Sequence, residues 1–421
     1  MGFADEDPEE EYIAQETVTD TAYLDSISLS SLPNLDYNLI FVDGVTRYRI
    51  IGAINIRDVH VPLMIAHIIA GAMKTEDKKL RPYKKKELLI ILFPFGAASN
   101  LIGQSILPGD FPVLENDVIK FSDLMSSEER DVVFSDTTLT LGRLPAPSGL
   151  IRRTLLTGND LVASSKVIKT AKNRLAEIRR TLELALVLNI VGNAKDNELV
   201  IVDGPVAPLF KYIGLIDPNL RSIVRGLNDR KNAADAYDIL KNIVGVVKKI
   251  VKIPGDLTSN LINNAGNVSN AHIYLWTKVI EDQEEGGEDS YIATYVLSAF
   301  FMLRKELLTE NYPVFSPTSG LVRVDVPLPV IMNKDDWVNW VINNHEEVND
   351  VGRDAIRQLV HNETYRAGLT KVLNIIYSLR YPVPSTTPYR RLVELYPIYE
   401  VEQWLKSNLL SKYELATIGL A

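Results

Sequence analysis

Apolar positions along the chain fall into two periods. Short unbroken runs read as buried strands: NLIFVDG from Asn38, Leu88–Phe95, Arg130–Phe134 and Leu199–Val202. Residues 47–61 (RYRIIGAINIRDVHV) continue with strand-like composition, and Leu321–Val330 alternates with period two. A helical period appears from Leu161 to Ile190, where Leu175, Ile178, Leu182, Ala185 and Leu186 recur at three and four. Lys334–Asn362 reads as a helix started by Asp335 or its neighbour, and a last helix falls near Glu400–Lys412. Between these, residues 206–310 read as mainly helical, and residues 142–150 (GRLPAPSGL) as a Pro/Gly break. Residues 1–33 are acidic, then Ser/Thr-rich, without periodicity, and are expected to be a mobile arm. With no repeat of 20–50 residues, the order predicts an α/β fold. A mixed β-sheet is flanked by helices in one domain over 34–421, with a helical insertion at about 206–310.

Composition narrows the chemistry. Of 421 residues, 45 are Lys or Arg and 54 are Asp or Glu, a net charge of −9, which excludes a protein that coats nucleic acid through bulk positive charge. There is no cysteine, so disulfides, zinc-thiolate sites, iron–sulfur clusters and a thiol nucleophile are all excluded. The five histidines, His60, His67, His272, His345 and His361, form no HExxH and no paired spacing. A bound metal must therefore rely on carboxylates, which favours Mg²⁺ or Mn²⁺. The longest apolar stretches, Leu88–Phe95 and Ile292–Leu303, are too short to span a bilayer, and the acidic start is unlike a signal peptide. A cytoplasmic protein with no membrane contact is expected.

Two segments look alike: LIFVDG at 39–44 and LVIVDG at 199–204. Each is a buried strand ending in aspartate and glycine, and strand carboxyl ends are where open α/β sheets place their sites. An Asp-Gly pair can also simply make a turn. Glu183 adds weight because it is a carboxylate in an otherwise apolar helical stretch, TLELALVL. It either pairs with Arg179 or Arg180 one turn earlier, or faces Asp43 and Asp203. Three converging carboxylates repel one another unless a cation sits among them. Arg47 and Arg49, on alternating positions after Asp43, are candidate phosphate contacts. Lys78–Lys86, Lys166–Arg180 and Lys241–Lys252 either track a DNA backbone or are solvated faces. Trp337 and Trp340 read as packing residues, and Asp136 as the end of a strand or a turn cap.

LIFVDG, the helix RLAEIRRTLELALVL, LVIVDGPV and RYPVPSTTPYRRL, in that order, resemble the NurA nuclease family over about residues 37–400. The resemblance implies an RNase H-like fold and a deoxyribonuclease using two Mn²⁺ or Mg²⁺ ions. It further implies a homodimer that works beside a HerA-like hexameric translocase in DNA end resection. By it, Asp43, Glu183 and Asp203 match the metal-binding carboxylates and Tyr381 an active-site tyrosine. The chain departs from the family at Tyr389, where a histidine is common. Two competitors stand beside this reading. A catalytically silent DNA-end adaptor draws on the Tyr389 departure. An actin-like or sugar-kinase-like phosphotransferase would need a glycine-rich phosphate turn, which DGVTRYR lacks.

Overall fold

The computed structural model describes residues 17–32, 38–104, 132–141, 154–250, 254–257, 270–280, 295–302, 321–344, 350–379, 382–384 and 393–418, with short breaks at 78, 196, 211, 221–228, 249 and 255. The strands are β1 (Thr17–Ser28), β2 (Asn38–Ile56), β3 (Val59–Glu76), β4 (Lys79–Phe93), β5 (Val132–Asp136) and β6 (Glu198–Asp203). They continue with β7 (Ile243–Val247), β8 (Asn270–Ile280), β9 (Val296–Met302), β10 (Leu321–Pro327), β11 (Pro382–Pro384) and β12 (Val393–Leu395). The helices are α1 (Phe95–Ile102), α2 (Ser164–Val191), α3 (Val206–Phe210), α4 (Ile213–Ile216), α5 (Arg230–Leu240), α6 (Lys334–Asn344), α7 (Asp350–His361), α8 (Glu363–Ser378), α9 (Tyr396–Asn408) and α10 (Lys412–Ile418).

The architecture is mixed α/β. Ten strands form one sheet in the order β1-β8-β9-β10-β7-β6-β2-β3-β4-β5, and β11 pairs with β12 apart from it. The pairs β2/β6, β6/β7 and β4/β5 are parallel, and the other pairs of this sheet are antiparallel. β2, β3 and β4 form a long meander. The β2–β3 turn at Arg57 and Asp58 takes positive φ at both residues, the twist-compatible hairpin geometry.

Helix α2 is long because its apolar stripe never breaks; Ile178, Leu182, Leu186 and Ile190 are all buried. It lies across β2, β3 and β4 on one face of the sheet. Helix α9 covers the other face, shown by two glycines. Gly44 and Ala70 are register partners, as are Asp43 and Gly71. A Cβ at 44 would overlap Glu183 of α2, while one at 71 would overlap Leu405 of α9. Neighbouring residues on a strand face opposite ways, so the two helices sandwich the sheet. Among the described residues, no helix is long and apolar enough to cross a membrane.

Two expectations are corrected. The stretch 206–310 is not mainly a helical insertion, because β7, β8 and β9 lie inside it and extend the central sheet. Fully buried strands such as β9, apolar but for Ser298, lack the alternation that marks a half-buried strand. The arm expected over 1–33 contains β1, an edge strand paired along β8. Its Thr/Ser/Asp content hides a one-sided strand that buries Leu24 and Ile27. Within the expected Lys334–Asn362, helix is described at Lys334–Asn344 (α6) and Asp350–His361 (α7). Trp337 does pack: it is fully buried, stacks on Trp340 at 6.3 Å, and donates from Nε1 to the Ala233 carbonyl at 2.8 Å.

Candidate active site

The parallel β2/β6 pair sets the site. Val42 and Val202 are register partners, so Asp43 and Asp203 follow side by side where β6 ends. Asp203 in turn pairs with Val246 of β7, and Lys248 stands two residues further on the same face. Its Nζ lies 2.8 Å from Oδ2 of Asp203. β6 stops at Asp203 while β2 runs on to Ile56. There the Gly44 N–H donates to Oδ1 of Asp43 at 2.7 Å.

The turn after β6 is held rigidly. Gly204 has φ +123°, a conformation costly for any residue with a Cβ. Its N–H donates to the Val246 carbonyl at 2.9 Å. The Val206 N–H, two residues on, donates to Oδ2 of buried Asp325 at 3.4 Å. Asp325 is fixed by a two-pronged contact from Arg323, at 2.7 and 2.8 Å, and by Ser298 Oγ at 2.6 Å. The carboxyl end of β6 is therefore tied to β7, β9 and β10, and Asp203 has little freedom to wander.

Glu183 approaches from α2. Residue 44 must be glycine for it to do so, since a Cβ there would overlap Oε1 of Glu183. Arg179, one turn earlier, donates from Nη1 to the Gly44 carbonyl at 3.1 Å and places Nε 3.5 Å from Glu183 Oε1. Glu183 thus pairs with Arg179, and the pair is anchored at Gly44 on the α2 face of the sheet, opposite the face that Asp43 shares with Gly71. On the face that Asp43 shares with Gly71, α9 contributes Glu402, buried and 2.5 Å from Lys406.

These groups act on one another. Burial pushes the Asp43 carboxyl well above the usual carboxylate range, and Asp203, Glu183 and Glu402 push it further, while the Lys248 ammonium pulls the other way. A carboxylate 8% exposed among three others is electrostatically costly. A hard cation would relieve that cost, and an all-oxygen donor set suits Mg²⁺ or Mn²⁺. Among the described residues, however, no three carboxylate or histidine side chains stand closed around a cation-sized space. Asp203 and Glu183 are held instead by Lys248 and Arg179. These side chains carry the oxygen donors a hard cation takes, but as placed they do not converge on one.

Other expected residues lie elsewhere. Arg47 donates to the carbonyls of Leu409 and Leu410 at 3.2 and 3.0 Å, and Arg49 to that of Lys412 at 2.9 Å. Through these contacts they fasten the α9–α10 connection. Asp136 ends β5 and accepts from the N–H groups of Gly96 and Thr138 at 3.0 and 2.9 Å. Tyr381 and Tyr389 lie outside the described residues. Lys248 and Glu402 are members that sequence reasoning missed. Lys248 sits in a basic run, KK at 248–249, that looks like a solvated face. Glu402 had a usable signal, because it interrupts the buried stripe Ile398, Val401, Leu405 just as Glu183 interrupts its own.

No family model matches the chain, and no curated protein does. Among solved structures it is similar to the crystal structure of the NurA nuclease from Sulfolobus solfataricus, with 12% identity, a TM-score of 0.28, and coverage of 82% of this chain and 88% of that one. An overlap that low carries no weight for fold or chemistry.

Proposed function

We propose that this chain is a divalent-metal-dependent deoxyribonuclease with an RNase H-like core. The observation that carries the reading is Asp43: a buried carboxylate, costly to ionise, set beside Asp203 at parallel strand ends, with Glu183 held against the next residue, Gly44. The strand order β4-β3-β2-β6-β7, with β3 antiparallel to β2 and β6 and β7 parallel to it, supports the RNase H-like assignment. Asp43, Asp203 and Glu183 would hold one or two Mg²⁺ or Mn²⁺ ions. When bound, such ions supply an activated water and neutralise charge on the phosphodiester. The chain's own part is positional: Gly44 admits Glu183, Arg179 aims it, and the Asp325–Arg323 pair fixes the turn beyond Asp203.

Tyr381 belongs to the reading as a residue acting on turnover more than on DNA affinity. The wider proposal is a homodimer fed by a HerA-like hexameric translocase, supported by a net charge of −9 that disfavours unaided DNA capture. The silent-adaptor reading has one observation in its favour, the basic partners already seated on Asp203 and Glu183. A Mn²⁺-supplemented digestion of linear DNA decides between them. Cleavage that disappears in Asp43→Asn, Glu183→Gln and Asp203→Asn is the expected result. No cleavage by the unaltered protein, alone or with a cognate translocase and ATP, leaves the adaptor.

A further inference from the structure

Four carboxylates act on one another near the end of β6, and three have a cation of their own. Glu183 has Arg179 at 3.5 Å, Asp203 has Lys248 at 2.8 Å, and Glu402 has Lys406 at 2.5 Å. Among the described residues Asp43 forms no ion pair, yet it is buried and feels the Lys248 ammonium through space. The three cations are not equivalent. Arg179 and Glu183 lie one turn apart on α2, as do Glu402 and Lys406 on α9, so each of those pairs is internal to its helix. Lys248 reaches its carboxylate from a different element, and its charge is felt by two aspartates on neighbouring strands.

We infer that Lys248 is a resident stand-in for the metal, neutralising Asp203 and Asp43 in the ion-free protein and giving way when a divalent cation enters between them. This rests on the metal-dependent reading above. Its physical basis is competition for the same oxygen. Oδ2 of Asp203 cannot be 2.8 Å from an ammonium and also ligate a hard cation that shares that space, because the two positive charges would repel. The side chain can leave. Lys248 lies just past the end of β7 (Ile243–Val247), its side chain is 13% exposed, and four methylenes let the ammonium swing to solvent while the backbone stays in place. Two consequences follow. The ion-free fold is protected from carboxylate repulsion, and metal affinity is held below what the carboxylates alone would give.

The experiment uses the full chain and Mn²⁺ alone, read by electron paramagnetic resonance of free against bound Mn²⁺, with melting temperature measured in parallel. Lys248→Met keeps the side-chain length and removes the charge. It should bind Mn²⁺ about tenfold more tightly than the unaltered protein, the scale of one short-range charge interaction. Its ion-free melting temperature should fall, and saturating Mn²⁺ should restore it. A lysine that merely packs would lower the melting temperature without sharpening Mn²⁺ affinity. Lys248→Arg, which keeps the charge, should bind Mn²⁺ within about threefold of the unaltered protein and serves if the methionine variant does not fold. In that case a Lys248→Arg affinity tighter by tenfold overturns the inference. Unchanged or weaker binding by Lys248→Met, while the unaltered protein binds and Asp43→Asn does not, overturns the Lys248 role and leaves the metal site standing. Absence of Mn²⁺ binding in every variant removes both.

Discussion

At the scale of single residues, Asp43 sets stability and function against each other. Its carboxyl is pushed up by burial and by neighbouring carboxylates, so the folded chain holds that proton more tightly than the unfolded chain does. Folding is therefore helped by this group at low pH, and the help is lost as pH rises from the ordinary carboxylate value through the raised one. Asp43→Asn removes that loss. It should melt a few degrees higher than the unaltered protein at pH 7.5, converge with it near pH 4, and cut no DNA. Calorimetry at the two pH values checks the first two outcomes; a lower melting temperature at pH 7.5 would contradict the electrostatic account. Gly44 gives a complementary case. Gly44→Ala forces Glu183 Oε1 aside, with an expected cost of about 1–3 kcal/mol for overpacking and loss of Mn²⁺-dependent cleavage. Near-normal cleavage by a folded Gly44→Ala protein would show that Glu183 does not need its place beside β2.

At the scale of elements, β1 is held to the sheet by more than its pairing with β8. Arg366 of α8 forms an ion pair with Asp25 and donates to the Ser26 carbonyl at 3.0 Å. Asn374 and Ser378, further along α8, accept from the N–H groups of Ser30 and Leu32, each at 2.8 Å. Burial raises the Asp25 carboxyl, but Arg366, the Ser26 N–H and His361 outweigh it and hold it below its ordinary value. That stabilisation is present above the ordinary carboxylate pKa and is lost as pH falls through the depressed one. Arg366→Ala should cost about 1 kcal/mol, given the partial exposure of the pair, and should speed amide exchange in residues 23–28 ahead of β2 and β6. Uniform exchange across the sheet would refute the local strap. This element also shows where sequence reading stops. β2, β6 and α2 were legible because burial on both faces or one stripe leaves a clear pattern, and the Asp-Gly ends and Glu183 stood out as polar breaks in it. β1 was not legible, because an edge strand strapped by polar side chains has a loop's composition. β8 and β9 were masked by a helical reading of a region whose true neighbours include β1, far away in sequence. Lys248 was invisible for the same reason, since only the β6/β7 register brings it to Asp203.

At the scale of the whole molecule, charge and architecture together limit how DNA can be held. The chain carries −9 overall, and two arginines near the site are committed to its own backbone. Arg47 and Arg49 grip the carbonyls of Leu409, Leu410 and Lys412. His67, fully buried, accepts the Leu410 N–H on Nδ1 at 3.1 Å, which leaves Nε2 to donate to Glu87 at 3.2 Å. The α9–α10 connection is thus locked onto β2 and β3, and Leu415 of α10 is buried against Ile65 and Leu89. DNA affinity that depends on neutralised phosphates falls linearly with salt on logarithmic scales, and every phosphate left without its cationic partner makes that slope shallower by about one. If Arg47 and Arg49 are structural, changing both to Gln should leave the salt slope of duplex binding unchanged and lower the melting temperature. If they touch phosphates, the slope should drop by about two with little change in stability. Fluorescence anisotropy of a labelled duplex across a salt titration, flanked by thermal melts, separates the cases. The fold favours the first outcome, with the unaltered protein binding only at about 10⁻⁴–10⁻⁶ M near physiological salt, so that a partner that delivers DNA raises cleavage by raising local concentration.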